Sequence, residues 1–381
     1  MYVLMVVPSD FPNGDAGAVR DMAFANIFIE LGYEVYLIGA GRHATKGDYN
    51  GVYFYSVYRD AQSRIDHLKR FVKSRKSYMS VIHKLMKQLG FPSVIYINDV
   101  SHGVIESLRR IAKNNNIPIL HDSTEWYSPC EFARGKWDMQ YILKDRLNRK
   151  VIRQPIRVIA ISNYLTKYFK GRGLKTERIP VIMDVVNTRS SSNTCDKTKL
   201  IYAGSPANKD YLKEIIDGLL LLPKEKQSKI EIHILGANEE QIKGITGLQK
   251  LPVCIKAYGR VPRERVEEVM LGMDFAVLLR PSEERYAKAG FPTKTVEAMS
   301  HGVAMICNLS SDLGMYLVDG ENSVIVDGYT AEDFSKAINR ILSFDRTSIN
   351  EIKKEARKTA EEYFDYRLWT DTVKNILIDG E

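Results

Sequence analysis

The chain of 381 residues is poor in cysteine, has no long apolar run and contains no Asp-x-Asp pair. Each absence removes a class of protein. The four cysteines, Cys130, Cys195, Cys254 and Cys307, stand far apart and share no metal-type spacing. A disulfide-stapled or zinc-ribbon scaffold is therefore excluded, and a reducing, cytoplasmic setting is expected. No apolar stretch approaches the roughly 20 residues that span a bilayer. Met1 to Val7 is apolar but has no charged leader and stops at Pro8, so it is expected to be a first strand rather than a signal peptide. Without Asp-x-Asp, a paired-carboxylate clamp for Mg²⁺ or Mn²⁺ is missing, and no metal site is expected.

What the chain does have is enough length for two α/β domains, each with its own core. It also has an uneven charge. Residues 1 to 183 hold 28 Lys and Arg against 16 Asp and Glu, a balance of +12, while the remainder holds 27 against 31 and so carries −4 of the total +8. The first half is suited to an acidic partner. Its densest stretch, Arg59 to Lys87, interleaves Arg64, Lys69, Arg70, Lys73, Arg75, Lys76, Lys84 and Lys87 with Ile65, Leu68, Phe71, Val72, Tyr78, Met79, Ile82 and Leu85. That pattern fits an anionic membrane surface or an anionic acceptor, and equally a solvated helix face over a core. The basic stretches carry no recognisable motif with interleaved surface aromatics, so no nucleic acid is expected as partner.

Periodicity predicts strands at Val3 to Val7, Glu34 to Gly39, Val52 to Tyr58, Ser93 to Asn98, Ile117 to Leu120 and Val158 to Ile161, with helices between them. Arg134 to Arg157 is basic and reads as helical. Asn187 to Thr198, NTRSSSNTCDKT, has no periodicity and is the expected linker. A second series follows, with strands at Leu200 to Ala203, Ile230 to Leu235, Val253 to Ala257, Phe275 to Leu279, Ala304 to Cys307 and Ser323 to Val326. Strands alternating with helices imply a parallel sheet in each half. The expected domains are 1–186, 187–362 and a last helical segment, 363–381.

Polar residues collect where such sheets bind ligands, at the carboxyl ends of strands. Gly14 and Gly17 follow the first strand, Asn98 and Asp99 end another, and His121, Asp122 and Glu125 follow Leu120. Ser162 has the position of a helix N-cap. In the second series the densest stretch is FAVLLRPSEERYAKAGFPTKTVEAMSHG, Phe275 to Gly302. It reads as a buried strand, a long polar loop with Arg280, Arg285 and Lys288, and a helix from about Thr293 to Ser300. Gly290, Phe291, Pro292, Thr293 and Lys294 bring the loop onto the first helical turn, where unpaired N–H groups and the helix dipole favour an anion such as phosphate. Glu297 lies one turn further, on the face that can accept hydrogen bonds from sugar hydroxyls. Tyr202 to Asp210 is a strand, a turn at Gly204 and a lysine, Lys209, before a helix; Arg260 and Val261 lie on the loop after another strand.

These residues in this order resemble the retaining glycosyltransferases of the GT-B fold, the large family 4 group. The resemblance spans almost the whole chain and is strongest from Leu200 to Val326. It implies two Rossmann-like parallel-sheet domains facing across a cleft. Glu297 falls on the second of the family's two acidic positions, while Ala289 stands at the first. By resemblance, Thr293 and Lys294 meet the donor diphosphate and Lys209 neutralises it, with Ser205 where an Arg is usual. Arg260 and Val261 lie by the base. His121 approaches the transferred sugar, and Gly14, Gly17 and Ser162 line the donor side. Asp122 and Glu125, with Asn98 and Asp99, stand in the acceptor region. The expected reaction moves a sugar from a nucleoside diphosphate sugar, UDP- or GDP-linked, to a hydroxyl of a glycan or lipid-linked acceptor. Contact with the inner face of an anionic membrane through 59–87 is also expected. A nucleotide-sugar epimerase of the same fold and a non-catalytic sugar-nucleotide-binding subunit are the alternatives.

Overall fold

A computed structural model describes residues 1–12, 14, 16–41, 45–58, 67–193, 196–204 and 210–378. They form two compact units: Met1–Tyr127, Trp137–Met183 and Tyr366–Glu381 make the first, and Ser128–Lys136 with Asp184–Asp365 the second.

The first unit is built on eight strands, β1 (Tyr2–Val6), β2 (Glu34–Gly41), β3 (Thr45–Tyr49), β4 (Val52–Tyr58), β5 (Val94–Asn98), β6 (Ile119–Ser123), β7 (Arg157–Ala160) and β8 (Thr176–Arg178). Its helices are α1 (Ala16–Glu30), α2 (His67–Leu89), α3 (His102–Asn114), α4 (Met139–Arg146) and α5 (Asn163–Gly171). The sheet order is β3-β4-β2-β1-β5-β6-β7-β8. All neighbours are parallel except β3, which returns antiparallel on β4 through a turn at Asn50 and Gly51, both with positive φ. β1 and β5 are buried at every residue, as a parallel sheet covered on both faces requires.

The second unit carries β9 (Thr198–Ala203), β10 (Ile230–Leu235), β11 (Ile255–Gly259), β12 (Phe275–Leu278), β13 (Ala304–Cys307) and β14 (Ser323–Ile325), all parallel, in the order β11-β10-β9-β12-β13-β14. Its helices are α6 (Leu212–Leu220), α7 (Lys224–Gln227), α8 (Glu239–Thr246), α9 (Arg263–Met270), α10 (Arg285–Ala289), α11 (Thr293–Ser300), α12 (Ala331–Ile341) and α13 (Arg346–Tyr363). Several start on side chains that satisfy orphan N–H groups: Asn238 with Gln241 and Thr330 with Asp333 form capping boxes, and Asp345 caps α13. The last helix, α14 (Thr370–Leu377), belongs to the first unit, where Val373 and Ile376 join the core with Phe24, Phe28 and Tyr96. Arg157 donates to the Ile376 carbonyl at 2.8 Å and Lys175 to that of Asn375 at 3.2 Å, so two cations cap its C-terminal end.

The α/β class and parallel sheets agree with the sequence pattern; several details differ. The expected loop after β12 contains α10, because Arg285 to Ala289 closes one helical turn after Glu284. Arg134 to Arg157 is not one helix. It is a 3-10 turn at Gly135–Trp137, then α4, then a π-helical turn at Leu147–Val151. β3 and β8, short and partly exposed, have no apolar run to announce them. The strand expected at Val253 starts at Ile255, and Val253 is 95 % exposed. Among the described residues no helix is long and apolar enough to cross a membrane.

One buried charge braces the amino ends of the second sheet. Asp274, fully buried at the entry to β12, accepts from Arg346 at 2.8 Å, Asn193 at 2.7 Å and the Lys199 N–H at 2.9 Å, with the Lys353 ammonium at 3.4 Å. It joins β9, β12, α13 and the connecting segment. Replacing Asp274 by Ala leaves two cations without their carboxylate, which is expected to cost about 3 to 5 kcal/mol. A thermal melt of the variant checks this; an unchanged midpoint would mean that the brace carries no stability.

Candidate functional site

The second sheet changes direction between β9 and β12, the place where open α/β sheets leave a crevice. The two strands pair only at Phe275 with Leu200 and Ala276 with Ile201, so their carboxyl ends part. The gap is filled by a polar network. Asp210 returns to the sheet beside β12, where the next residue, Tyr211, donates its N–H to the Leu279 carbonyl at 3.1 Å. The Asp210 carboxylate accepts from Lys294 Nζ at 2.5 Å, Arg280 Nε at 2.8 Å and the Tyr202 hydroxyl at 3.1 Å. Burial alone would push this carboxyl up, but the Lys294 and Arg280 charges outweigh it and hold Asp210 well below the ordinary range. Asn308, just after β13, fixes Arg280 from both sides of its backbone, accepting from its N–H at 2.9 Å and donating to its carbonyl at 2.6 Å.

Lys294 lies in the first turn of α11, whose first N–H groups have no carbonyl of their own helix to bond. Its ammonium also stands 4.4 Å over the Tyr202 ring. It passes against Gly204, where φ is +148° and an added Cβ would lie 2.9 Å from Nζ. Gly204 therefore gives both the turn and the room for the lysine. Before the helix, Gly290 donates its N–H to the Tyr286 carbonyl at 3.0 Å, and Pro292 takes the N-cap position. Phe291 is buried edge-on against Tyr316 and Phe364. Thr293 and Glu297 are half-buried on the same helix, and Ala289 is fully buried. Arg260 is exposed and Val261 half-buried, just past the positive-φ Gly259 that ends β11. Lys209 and Ser205 lie outside the described residues.

The first unit splits its candidates between two faces, because neighbouring strand residues point to opposite sides. His121 pairs in register with Ile97, and Asp122 with Asn98. On the α1 face, Arg20 holds Asp122 with Nε to Oδ2 at 2.7 Å and Nη2 to Oδ1 at 2.9 Å, and the Tyr96 hydroxyl adds 2.9 Å. Asp122 is fully buried and committed to these partners. Asp21 lies beside it with Asn98 and accepts from Ser9 at 2.6 Å; burial first, with the Asp122 charge behind it, pushes Asp21 up to about 7.

On the opposite face Lys144 of α4 pairs with Asp99, which sits at φ +20° after β5. His121 is fully buried, and neither ring nitrogen has a hydrogen-bond partner among the described residues; the hydroxyl of Ser123, two residues on, is buried in the same condition. Burial, and after it the Lys144 charge, lowers His121 to about 3. Its imidazole is neutral at physiological pH, a hydrogen-bonding group rather than a cation. Glu125 is half-buried, and its carbonyl accepts from Asn148 at 3.3 Å. Ser162 caps α5, with the Leu165 N–H 3.4 Å from its Oγ. A Cβ at Gly14 would meet the Asp10 carbonyl at 2.6 Å, so its own loop requires that glycine; Gly17 is half-buried in the first turn of α1.

The structure thus gathers Gly204, Lys294 and the start of α11 at one switch point, and separates Asn98 and Asp122 from Asp99 and His121. Sequence reasoning passed over the Asp210 carboxylate and read Arg280 only as one of several loop charges. Asp210 follows Lys209 in the motif, but its two cationic partners are 70 and 84 residues away.

Comparison with known proteins bears on these features. Residues 187–359 match the family model for glycosyl transferases group 1. No curated protein matches the chain by sequence. Among solved structures, sucrose-phosphate synthase from Thermosynechococcus elongatus is similar with a TM-score of 0.77 at 12% identity, covering 99% of this chain and 98% of that one. Anabaena HepE in complex with UDP and glucose is similar with a TM-score of 0.69 at 13% identity over 99% of each chain. WaaG, a glycosyltransferase involved in lipopolysaccharide biosynthesis, gives 0.70 at 12% identity over 99% of this chain and 100% of its own. Residues 187–359 are a glycosyl transferases group 1 domain, and the chain is a glycosyltransferase of the GT-B fold.

Proposed function

We propose that the protein moves a glycosyl unit from a UDP-sugar to a hydroxyl of a glycan or lipid-linked acceptor, with retained configuration, as in cell-surface polysaccharide synthesis. The observation that carries this reading is the meeting of Gly204, Lys294 and the α11 N-terminus at the β9–β12 switch point, inside the segment that matches the family model. UDP is preferred over GDP because the similar HepE structures hold UDP, glucose and UDP-glucose.

In this reading the diphosphate lies against the first N–H groups of α11 and the Lys294 ammonium, with Lys209 as a further cation. Glu297 accepts hydrogen bonds from ribose, and the backbone at Arg260 and Val261 meets the base. Gly290, Phe291, Pro292 and Thr293 hold the loop at the helix entry. The bond from the anomeric carbon to the diphosphate oxygen breaks as the bond to the acceptor oxygen forms, and the departing phosphate takes the acceptor proton. No metal takes part in this reading; the leaving charge is met by the lysines and the helix. The neutral His121 supports the sugar by hydrogen bonding as positive charge develops on it. Gly14, Gly17 and Ser162 are assigned to the donor side, and Asn98, Asp99 and Glu125 to the acceptor side. Asp122 acts there through Arg20, as a positioning residue.

The protein is proposed to work in the cytoplasm, with peripheral contact at an anionic membrane through 59–87. Residues 59–66 and the side chains of 67–74 lie outside the description. In the rest of α2, Tyr78, Ile82 and Leu85 are buried and Lys76, Lys84 and Lys87 are exposed. Tyr78, Ile82 and Leu85 serve the core and only Leu89, at the end of the helix, is an exposed large apolar residue of this part, so α2 offers mainly charge, about 1 kcal/mol for each cation near such a surface.

Replacing Lys294 by Ala is expected to weaken UDP binding and leave uridine binding unchanged in calorimetric titrations. Equal losses for both ligands would remove the lysine from the phosphate site. Glu297→Gln is expected to weaken UDP and uridine alike by about ten- to a hundredfold, the loss of a charge-assisted hydrogen bond; unchanged affinity would end its assignment to ribose. His121 gives a pH signature. Its folded pKa lies below the ordinary value of about 6.5, so the unfolded chain takes up the proton first as pH falls. The stabilisation is present above about 6.5 and is lost toward 3. Chemical denaturation from pH 7 to pH 4 should therefore show a shallower loss of stability in His121→Asn than in the unsubstituted protein; parallel losses would contradict the buried neutral imidazole.

A further inference from the structure

β3 ends the first sheet, and its outer edge has no strand beside it among the described residues. Its residues, Thr45, Lys46, Gly47, Asp48 and Tyr49, are all exposed. An open edge presents a row of N–H and C=O groups that a further strand can pair. An edge guarded by lysines alone repels a second copy of itself, because antiparallel pairing sets like charges opposite one another. β3 is built differently. Lys46 and Asp48 flank Gly47 symmetrically, so a two-fold axis through Gly47 sets each lysine opposite the aspartate of the other copy, and each Thr45 opposite a Tyr49. Within the protomer neither Lys46 nor Asp48 has an ion-pair partner among the described residues. The next strand lines the same positions with rings. Asp48 is in register with Tyr53 and Lys46 with Tyr55, and register partners share a face. Tyr53, 45 % exposed, stacks on Tyr36 of β2 at 5.0 Å and 24°. On the other face Gly47 lies under its own Phe54 ring, which an added Cβ would meet at 2.9 Å, so no side chain stands at the axis.

We propose that two copies of the chain pair antiparallel through β3, centred on Gly47, and join their first sheets into one. The order of charges selects this occupant. A second copy answers Lys46 and Asp48 together, twice over, as a two-fold interface requires, whereas a strand with one sign of charge answers only one of them. In the joined sheet a row runs Tyr36, Tyr53, Asp48, then Lys46 and Tyr55 of the second copy, so each ion pair lies between tyrosine rings that shield it from water. Five residues on each side make a small interface, so the dimer forms and parts with concentration. This inference goes beyond the transfer reaction and stands whichever sugar is moved.

Sedimentation velocity of the full chain over a concentration series tests it. The unsubstituted protein is expected to pass from monomer to dimer as its concentration rises. Lys46→Asp sets carboxylates opposite one another at both pairs, and Asp48→Lys sets ammonium groups opposite one another. Each change turns two attractions into repulsions and is expected to raise the dimer dissociation constant by about tenfold or more. Two rescues read the register. An equimolar mixture of the two single variants restores opposite charges at every pair and is expected to form a heterodimer, and the double variant Lys46→Asp, Asp48→Lys should associate with itself again. Thermal melts of the dilute variants should match that of the unsubstituted protein, which separates a lost interface from a lost fold. A chain that stays monomeric at every concentration, single variants that dimerise as well as the unsubstituted protein, or a mixture that does not associate would overturn the proposal.

Discussion

The crevice of the second unit depends on one buried carboxylate. Asp210, whose side chain is 3 % exposed, stands between the Lys294 ammonium and the Arg280 guanidinium at the point where β9 and β12 part. A charge so far from water persists only when paired, and here two cations and the Tyr202 hydroxyl satisfy it together. The same contacts fix three pieces of chain, the loop entering α6, the end of β12 and the first turn of α11. Asn308 extends the brace to β13. The network holds the start of α11 in place with two positive charges against one negative. That is the condition under which a helix N-terminus serves as an anion site rather than merely a helix end.

The first unit solves a related problem by alternation. Asp122 points toward α1 and forms a two-point ion pair with Arg20, while His121 points the other way into a face where neither of its nitrogens is bonded among the described residues. The two consecutive residues thus lie on opposite faces, one closed into a network and one not. Asp122 closes a network with Tyr96, Asn98, Asp21 and Ser9, in which burial pushes Asp21 up to about 7 while Arg20 answers the Asp122 charge. His121 keeps its hydrogen-bonding capacity because burial, and after it the Lys144 charge, keep the imidazole neutral.

Much of this was legible in the sequence, for a physical reason. Buried parallel strands are short runs of apolar residues between turns, so β1, β5, β9, β12 and β13 announce themselves, and Thr293 to Ser300 reads as a helix from its spacing and its Pro292 start. Short or exposed pieces do not. β3 is exposed at every residue, and the single turn of α10 looks like polar loop. The candidate site was legible where its residues are contiguous, from Gly290 to Glu297, and opaque where it depends on distant pairing. Nothing local marks Asp210 as buried, or Arg280 as a bracing cation rather than one of several loop charges. The opposite fates of His121 and Asp122 follow from strand register, which only the paired sheet reveals.

The central claim is that the bound nucleotide sugar is consumed by transfer. The most direct measurement is mass spectrometry of the products formed from UDP-glucose and its isomers by the full chain, with and without glycan and lipid-linked acceptors. The account predicts free UDP together with an acceptor heavier by one sugar unit. An isomerised UDP-sugar formed without any acceptor, or tight binding of UDP-sugar with no turnover across the acceptor panel, would contradict it.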